Sequence, residues 1–294
     1  MIAIPKEMAV HLKNVDTIAT LPNVATEILD TLRNTSASMR HIAAVIEKDP
    51  SITTKILKVS NSPVWGFTGR VDNLQRAVVL LGLKQVTNIV ISISLYSTFA
   101  RLKPNSRFDR EQFWFHSFGT AQLSRKLAKK LGLNFMGEEF VAGLIHDVGK
   151  IILDQFMPET FAQILEYSHT SNKPLIEAEK VFLNCTHADI GAWLLHHWHF
   201  PASIVEAVHF HHSPQKASEN QDLAALVHLA ETLCEVWGIG FDGDVQKFNI
   251  HASPAWRILK QANPQLYKLD LERFLFELSN EMEKAKILKQ MIED

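Results

Sequence analysis

The residues best suited to chemistry are an adjacent histidine and aspartate, His146 and Asp147, in an apolar segment that runs from Gly143 to Lys150. This segment has the composition of a buried helix, where a charged side chain is costly unless it is paired or bound to a metal. Neighbouring positions on a helix are about 100° apart, so both side chains can reach one ion in a groove, with Lys150 one turn below His146. One nitrogen and one oxygen ligand suit iron, manganese or zinc better than calcium.

Two ligands do not complete a metal site, and the remaining ones must come from other segments. Eight of the fourteen histidines lie between residues 187 and 228, a crowding of good metal ligands that needs an explanation. The candidates are histidines in other segments and a carboxylate that could close the site: His116, His187, His211, His212 and Glu231. His116 lies among aromatic residues, and a histidine packed in the core would explain it equally well.

The other histidines of this region have simpler explanations. Three lie just before Pro201, at an expected helix end where exposed or capping imidazoles are common: His196, His197 and His199. Two more could join the site, because they lie one turn from His212 and from Glu231, respectively: His209 and His228. For all five we favour a role other than metal binding.

The elements that must position these side chains are helices. Apolar residues recur at helical spacing along nearly every long segment, and we find no convincing strand pattern. Asp49-Pro50 marks the end of one helix and the start of the next, and Gly82 separates two others. A polar break at residues 103–106 predicts a hinge, and residues 270–294 predict an amphipathic helix that packs rather than anchors in a membrane. The predicted fold is an all-α, two-lobed multi-helical bundle.

Composition excludes several classes of protein. A net charge of -2 provides no attraction to nucleic acid or to an anionic membrane. Two cysteines, Cys185 and Cys234, are too few for a disulfide framework and are expected in the core. The apolar stretch 77–100 contains Lys84 and Asn88, which predicts buried helices rather than a membrane span. Because residues 1–10 also lack the apolar run of a secretory signal, we expect a cytoplasmic protein.

The order of the candidate residues resembles a known motif. His116, His146-Asp147 with Lys150, His187 and His211-His212 occur in the order typical of the HD and HD-GYP phosphohydrolases. The first half is similar to a related family, the HD-related output domain HDOD, in four segments: Leu21-Pro22, Ile46-Glu47-Lys48-Asp49-Pro50, Leu57-Lys58-Val59-Ser60-Asn61-Ser62 and Ala77-Val78-Val79-Leu80-Leu81-Gly82. The resemblance covers residues 12–214. It implies an N-terminal lobe over 12–104, an HD-like lobe over 105–240 and a C-terminal helical extension over 241–294.

HDOD proteins are bacterial signalling modules, and many have lost the metal-binding residues that this sequence largely keeps. The resemblance implies two divalent ions, with iron expected first and manganese or zinc as alternatives. Around one ion it places four residues: His116, His146, Asp147 and Glu231. Around the other it places His187, His211 and His212, with Asp147 bridging the pair. Lys150 would contact phosphate, which makes Asp147 and Lys150 the predicted catalytic residues.

Three departures from the HD-GYP pattern argue against hydrolysis of cyclic di-GMP. Glu231 stands where the family usually has aspartate, and no glycine-rich loop follows His212. Residues 77–108 contain no acidic residue, so no third ion is expected. Three functions stay open: a metal-binding signalling module that acts through protein partners, a metal-dependent phosphohydrolase of a nucleotide or other phosphoester, and a metal-free helical scaffold.

Overall fold

The computed structural model describes residues 22–33, 39–61, 70–100, 108–135, 137–240 and 249–279, together with residues 4, 5, 8, 10, 12 and 102. Every regular element in these ranges is a helix. The predicted all-α fold is therefore confirmed. The predicted hinge at 103–106 lies outside the described residues, as do residues 241–248 of the predicted C-terminal extension, so the division into lobes stays a prediction.

In the first half of the chain, the described residues form five helices, and their ends follow the sequence signals. They are α1 (Asn23–Arg33), α2 (Met39–Glu47), α3 (Pro50–Ser60), α4 (Leu74–Leu81) and α5 (Leu83–Ala100). Asp49 caps α3, since its carboxylate accepts hydrogen bonds from the amides of Ser51 and Ile52 and Pro50 occupies the first turn. Gly82 has φ 81°, a left-handed conformation that ends α4 and lets α5 begin at once.

The part of the second half that the structure describes contains ten further helices, which position the candidate site residues. They are α6 (Arg110–Lys130), α7 (Glu138–Ile145), α8 (Val148–Phe156), α9 (Pro158–Ser171), α10 (Leu175–Leu183), α11 (His187–His197), α12 (Ala202–Phe210), α13 (Gln221–Val236), α14 (Pro254–Ala262) and α15 (Leu271–Ser279). Short 3-10 helices span Pro214–Lys216, Ile250–Ala252 and Pro264–Lys268.

The sequence-based placement of His146 and Asp147 inside one helix is wrong. Both residues lie in a turn between α7, which ends at Ile145, and α8, which begins at Val148. Asp147 has φ −98° and ψ 9°, outside the helical range, and the chain bends there. The apolar residues on both sides belong to two buried helices, so their periodicity resembles that of a single helix.

Two hydrophobic cores hold the helices together. The larger one is continuous from the N-terminal helices to the second half and joins residues such as Ile56 and Val90 to Phe118 and Ile151. The smaller core packs α14 and α15 against α6 and α13 through side chains that include Trp256. Phe274 and Leu278 of α15 are buried in it, while residues 280–294 of the predicted terminal helix lie outside the described residues. Both cysteines are buried free thiols, as expected.

A buried ion pair links the first half of the chain to α8. Arg110, the first residue of α6, donates from Nη2 to Oδ2 of Asp154 over 2.6 Å. Its Nη1 donates to the carbonyl oxygen of Leu102 over 3.1 Å and to that of Phe99, in α5, over 3.4 Å. The side chain of Asp154 is 1% exposed, so Arg110 compensates a charge that would be costly alone. One residue thus joins the end of α5 to the helix that follows Asp147.

Within the described ranges, no single helix has both the length and the apolarity to cross a membrane. The segments Leu74–Leu81 and Gln85–Ala100 meet both criteria only when they are taken together, and they are bent by 116° relative to each other. Most of α5 is buried within the protein, including Val90, Ile91 and Ile93.

Candidate metal centre

The structure brings all the predicted site residues together. His116 comes from the second turn of α6, His146 and Asp147 from the turn before α8, and Glu231 from the middle of α13. His187 is the first residue of α11, which Thr186 and Asp189 fix through a reciprocal capping box. The other histidines follow the end of α12 directly: His211 and His212. Four helix ends and two helix interiors therefore converge on one buried point.

These side chains form two groups that share Asp147. We call His116, His146 and Asp147 the first half-site, and Asp147, His187, His211 and His212 the second half-site; in each, one ligand atom per residue lies within 4.8 Å of the others. Oδ2 of Asp147 is 3.3 Å from Nε2 of His146. Oδ1 is 3.1 Å from Nε2 of His187. The two oxygens of one carboxylate therefore face different histidine groups, as a bridging ligand requires.

Glu231 faces both half-sites. Its Oε1 lies 3.9 Å from Nε2 of His146 and 3.8 Å from Nε2 of both His211 and His212. The sequence places this residue in the first half-site only, and that assignment stays a prediction. A carboxylate in this central position could complete either group.

Backbone carbonyls fix the orientation of three imidazoles. The Nδ1 atoms of His116, His146 and His211 lie 2.6, 2.8 and 2.6 Å from the carbonyl oxygens of Ile239, Gly143 and Val208, respectively. A carbonyl can only accept, so each Nδ1 carries a proton and each Nε2 presents a lone pair to the cluster. This is how proteins orient histidines that bind metals.

Few hydrogen-bond donors of the described residues face these Nε2 lone pairs. Nε2 of His116 lies 3.2 Å from Nε2 of His146, so two acceptors face each other at hydrogen-bond distance. Nε2 of His211 is buried and has no hydrogen-bond partner among the residues that the structure describes. Unsatisfied buried acceptors are costly, and a cation between them would remove that cost. The donor set therefore fits a divalent metal.

The pKa shifts keep most of the ligand side chains in the protonation state that binds a cation. Burial and the neighbouring His146 together lower the pKa of His116 to about 3. Burial likewise holds the pKa values of His211 and His212 well below the ordinary value, so these imidazoles are neutral at physiological pH. Burial would raise the pKa of Asp147, but His146 and Lys150 hold it well below its usual range. Nζ of Lys150 donates to Oδ2 of Asp147 over 2.8 Å, and both side chains are buried.

Sequence reasoning missed Glu179, a buried carboxylate of α10. Both its oxygens lie 2.8 Å from Nδ1 of His187, and Oε2 also accepts from the amide of His187 over 2.9 Å. Burial would lower the pKa of His187, but Glu179 and Asp147 raise it to about 9. A signal existed, because Glu179 lies at helical spacing between the apolar residues Leu175 and Leu183, on the buried face of its helix.

The remaining histidines of this region lie apart from the two half-sites. His209 turns to Asp189, with Nε2 2.9 Å from Oδ1. Burial would raise the pKa of Asp189, but hydrogen bonds with His209 and Thr186 lower it to about 2. His228 is half-buried, and burial lowers its pKa. The three histidines before Pro201 are exposed, as predicted: His196, His197 and His199.

Comparison with known proteins identifies related chains. The model of the HDOD domain family matches residues 18–214. An uncharacterized protein from Treponema pallidum (strain Nichols) is 27% identical over 218 residues, which are 74% of this chain. The matched region spans 42% of the length of that relative.

Solved structures share the fold. An HDOD domain protein of unknown function from Geobacter sulfurreducens superposes with a TM-score of 0.79 at 20% identity, covering 95% of this chain and 97% of its own. A candidate phosphohydrolase from Shewanella amazonensis SB2B superposes with a TM-score of 0.73 at 24% identity, covering 97% of this chain and 98% of the Shewanella chain. A candidate signal transduction protein from Marinobacter aquaeolei VT8 gives 0.76 at 22% identity, over 96% of this chain and 61% of its own. At these identities the likeness concerns the fold alone.

Proposed function

The chain belongs to the HDOD domain family, and from this premise we propose that it is a signal-transduction module that binds two divalent metal ions around Asp147. The observation that carries the proposal is the common orientation of the imidazoles. Backbone carbonyl oxygens accept hydrogen bonds from Nδ1 of His116, His146 and His211, so that their Nε2 lone pairs converge on a buried carboxylate. A packed scaffold without metal gains nothing from this arrangement, because the lone pairs would lack donors.

Each residue has a definite part in this proposal. The first ion would be held by His116 and His146 and the second by His187, His211 and His212, while Asp147 contributes one oxygen to each and Glu231 completes the set. Nitrogen-rich sites of this kind suit iron, manganese or zinc, and we propose iron first. When bound, such ions act as Lewis acids toward phosphoryl oxygens or water. The ammonium group of Lys150 lies beside Asp147, and its positive charge would also attract a phosphate group.

The low solvent exposure of the cluster favours signalling through partner proteins over catalysis. The side chains of His146, Asp147 and His211 have no solvent exposure, whereas that of His212 is 22% exposed. Among the described residues of the cluster, His212 has the most exposed side chain that a phosphoester could approach. In contrast, α8 could transmit a structural change, because it runs from Asp147 at its start to Asp154. Asp154 pairs with Arg110, which lies beside the end of α5. A change at the metal centre would reach the N-terminal helices through this pair.

The alternative function is a metal-dependent phosphohydrolase that acts on a nucleotide or another phosphoester. The specific observation in its favour is that Lys150 lies next to a nearly complete set of ligands for two ions. Under this alternative, Asp147 and Lys150 are the catalytic residues. His212 would then be the ligand nearest the incoming substrate.

Metal analysis of tag-free protein tests the proposal. We expect close to two equivalents of iron, manganese or zinc after anaerobic reconstitution, and loss of both in Asp147→Ala. His196→Ala, which removes an exposed imidazole outside the cluster, serves as the matched control and should bind like the wild type. Metal content well below one equivalent in the wild type would refute the proposal. Screening phosphoesters and cyclic dinucleotides with the same variants then separates the two functions, since turnover that depends on Asp147 favours the hydrolase.

A further inference from the structure

Glu179 makes the two half-sites unequal. Resting on the proposed metal binding, we infer that Glu179 is a positioning residue that makes the second half-site bind a divalent ion more tightly than the first. Its carboxylate is fully buried in α10 and directs both oxygens at Nδ1 of His187, at 2.8 Å each. The ring of His187 can then present only Nε2 to the second half-site.

The first half-site differs in the acceptors that hold the Nδ1 atoms of its two histidines. Its imidazoles are oriented by neutral acceptors, the carbonyl oxygens of Ile239 and Gly143. A carboxylate attracts the Nδ1 proton more strongly than a carbonyl does, which leaves more electron density on the imidazole ring. The opposite nitrogen therefore becomes a better donor to a metal. His187 is therefore the strongest imidazole donor of the cluster once a bound ion has displaced its Nε2 proton, which its pKa of about 9 keeps in place at neutral pH without metal.

The other charges of the cluster do not offset this difference. Glu231 lies at nearly equal distances from histidines of both half-sites, 3.9 Å from His146 and 3.8 Å from His211, so it favours neither. Lys150 donates to Oδ2 of Asp147, the oxygen that faces His146. Its ammonium group competes with an ion in the first half-site for that oxygen. Both effects leave the second half-site favoured.

Glu179 also fixes the backbone next to the site. Its Oε2 accepts from the amide of His187, the first residue of α11, over 2.9 Å. An anion at the start of a helix is stabilising, so a purely structural role for Glu179 is the competing explanation. The two explanations differ in their consequences, because a structural role would change the free energy of unfolding but not the order in which the half-sites fill.

A titration of the wild-type protein tests the order directly. Full-length protein labelled at the histidine nitrogens is stripped of metal and titrated with Zn²⁺, while the Nε2 resonances of the individual imidazoles are followed by NMR. We expect His187, His211 and His212 to shift during the first equivalent, and His116 and His146 only during the second. Simultaneous shifts, or earlier shifts of His116 and His146, overturn the inference.

A variant tests the role of Glu179 in that order. Glu179→Gln should weaken binding to the second half-site about 10- to 100-fold and leave the first unchanged, as is typical when an outer partner of a metal-bound histidine is lost. Glu177→Gln, which removes an exposed carboxylate from the same helix, is the matched control and should bind like the wild type. If Glu179→Gln does not fold, Glu179→Asp replaces it, since it keeps the charge with a shorter reach and should reduce the preference in the same direction.

The results separate failure of this inference from failure of the proposed function. A wild-type protein that binds no Zn²⁺ at the cluster removes the proposed function itself. A wild-type protein that binds two ions, together with a Glu179 variant that leaves the filling order and both affinities unchanged, removes only the role of Glu179. A loss of stability without a change in filling order assigns Glu179 a structural role and also overturns the inference.

Discussion

Gly149 of α8 lies against the carbonyl group of His187 so closely that no side chain fits between them. A Cβ atom on Gly149 would lie 2.0 Å from the carbonyl oxygen and 2.7 Å from the carbonyl carbon of His187. Both atoms belong to the backbone, so the helices themselves would have to move. This contact sets the distance between the helix that follows Asp147 and the helix that begins with His187.

Gly149→Ala should therefore damage both stability and metal binding. Separating α8 from α11 is an overpacking change, for which a loss of about 1–3 kcal/mol in the free energy of unfolding is typical. The second half-site should lose affinity more than the first, because Oδ1 of Asp147 moves away from His187. Urea denaturation and metal titration measure the two effects. Gln163→Ala, at an exposed helical position, is the control, and equal behaviour of the two variants would contradict the prediction.

Lys150→Met should strongly reduce the free energy of unfolding of the metal-free protein and reduce that of the metal-bound protein much less. In the metal-free protein this change removes the cation that compensates the buried Asp147, and breaking a buried pair from one side typically costs about 3–5 kcal/mol. Bound divalent ions supply positive charge to the same carboxylate, so they should restore most of the loss. Chemical denaturation in the presence of chelator and of Mn²⁺ gives both values. Equal losses under the two conditions would show that no ion binds near Asp147.

Arg110→Met should weaken the link between α5 and α8. The side chain of its partner Asp154 is almost completely buried, and we expect a loss of about 3–5 kcal/mol in the free energy of unfolding, as for other buried pairs. Arg273→Met breaks an exposed pair with Glu277 and should cost far less, because solvent screens exposed ion pairs. Thermal or chemical denaturation of the two variants provides the comparison. A cost for Arg110→Met as small as that for Arg273→Met would remove the proposed route from the metal centre to the N-terminal helices.

Glu206 should stabilise the loop after His212 in a manner that depends on pH. Its carboxylate accepts from the amides of Ser218, Glu219 and Asn220 and from the side chains of Ser218 and Asn220. Although burial alone would raise it, the pKa of Glu206 is lowered from 4.5 to about 2 by these hydrogen bonds. Because the pKa is lower in the folded state, the stabilisation is fully present above pH 4.5 and is lost as the pH falls toward 2.

The variant Glu206→Gln provides the measurement for this pH dependence. The difference in the free energy of unfolding between wild type and variant should be constant from pH 7 to pH 5 and should shrink below the unfolded pKa. Ser218→Ala removes one donor and should reproduce part of the effect. A difference that grows as the solution becomes more acidic would contradict the assignment.

Much of this site could be predicted from the sequence, because its residues are chemically unusual where they stand. His146 and Asp147 are polar in an apolar segment, and the later histidines are crowded, so both stand out without any structure. The turn between α7 and α8 could not be predicted, since the flanking residues of both helices are apolar and buried. Glu179 was missed because a single carboxylate on the apolar face of a short helix does not reveal which side chain it faces, although its neighbour His187 begins the next helix.

The hydrogen bond between His116 and the carbonyl of Ile239 has a consequence for how such modules can be exchanged between proteins. The HDOD family match ends at residue 214, whereas Ile239 and Glu231 follow it, and Ile239 is buried in the core formed by the last helices. A gene fusion that transfers only the matched segment would carry the residues of the second half-site but would lose the carbonyl oxygen that holds Nδ1 of His116. Under the proposed function, recombination at that boundary would weaken the first of the two ion sites while the ligand histidines remained in place.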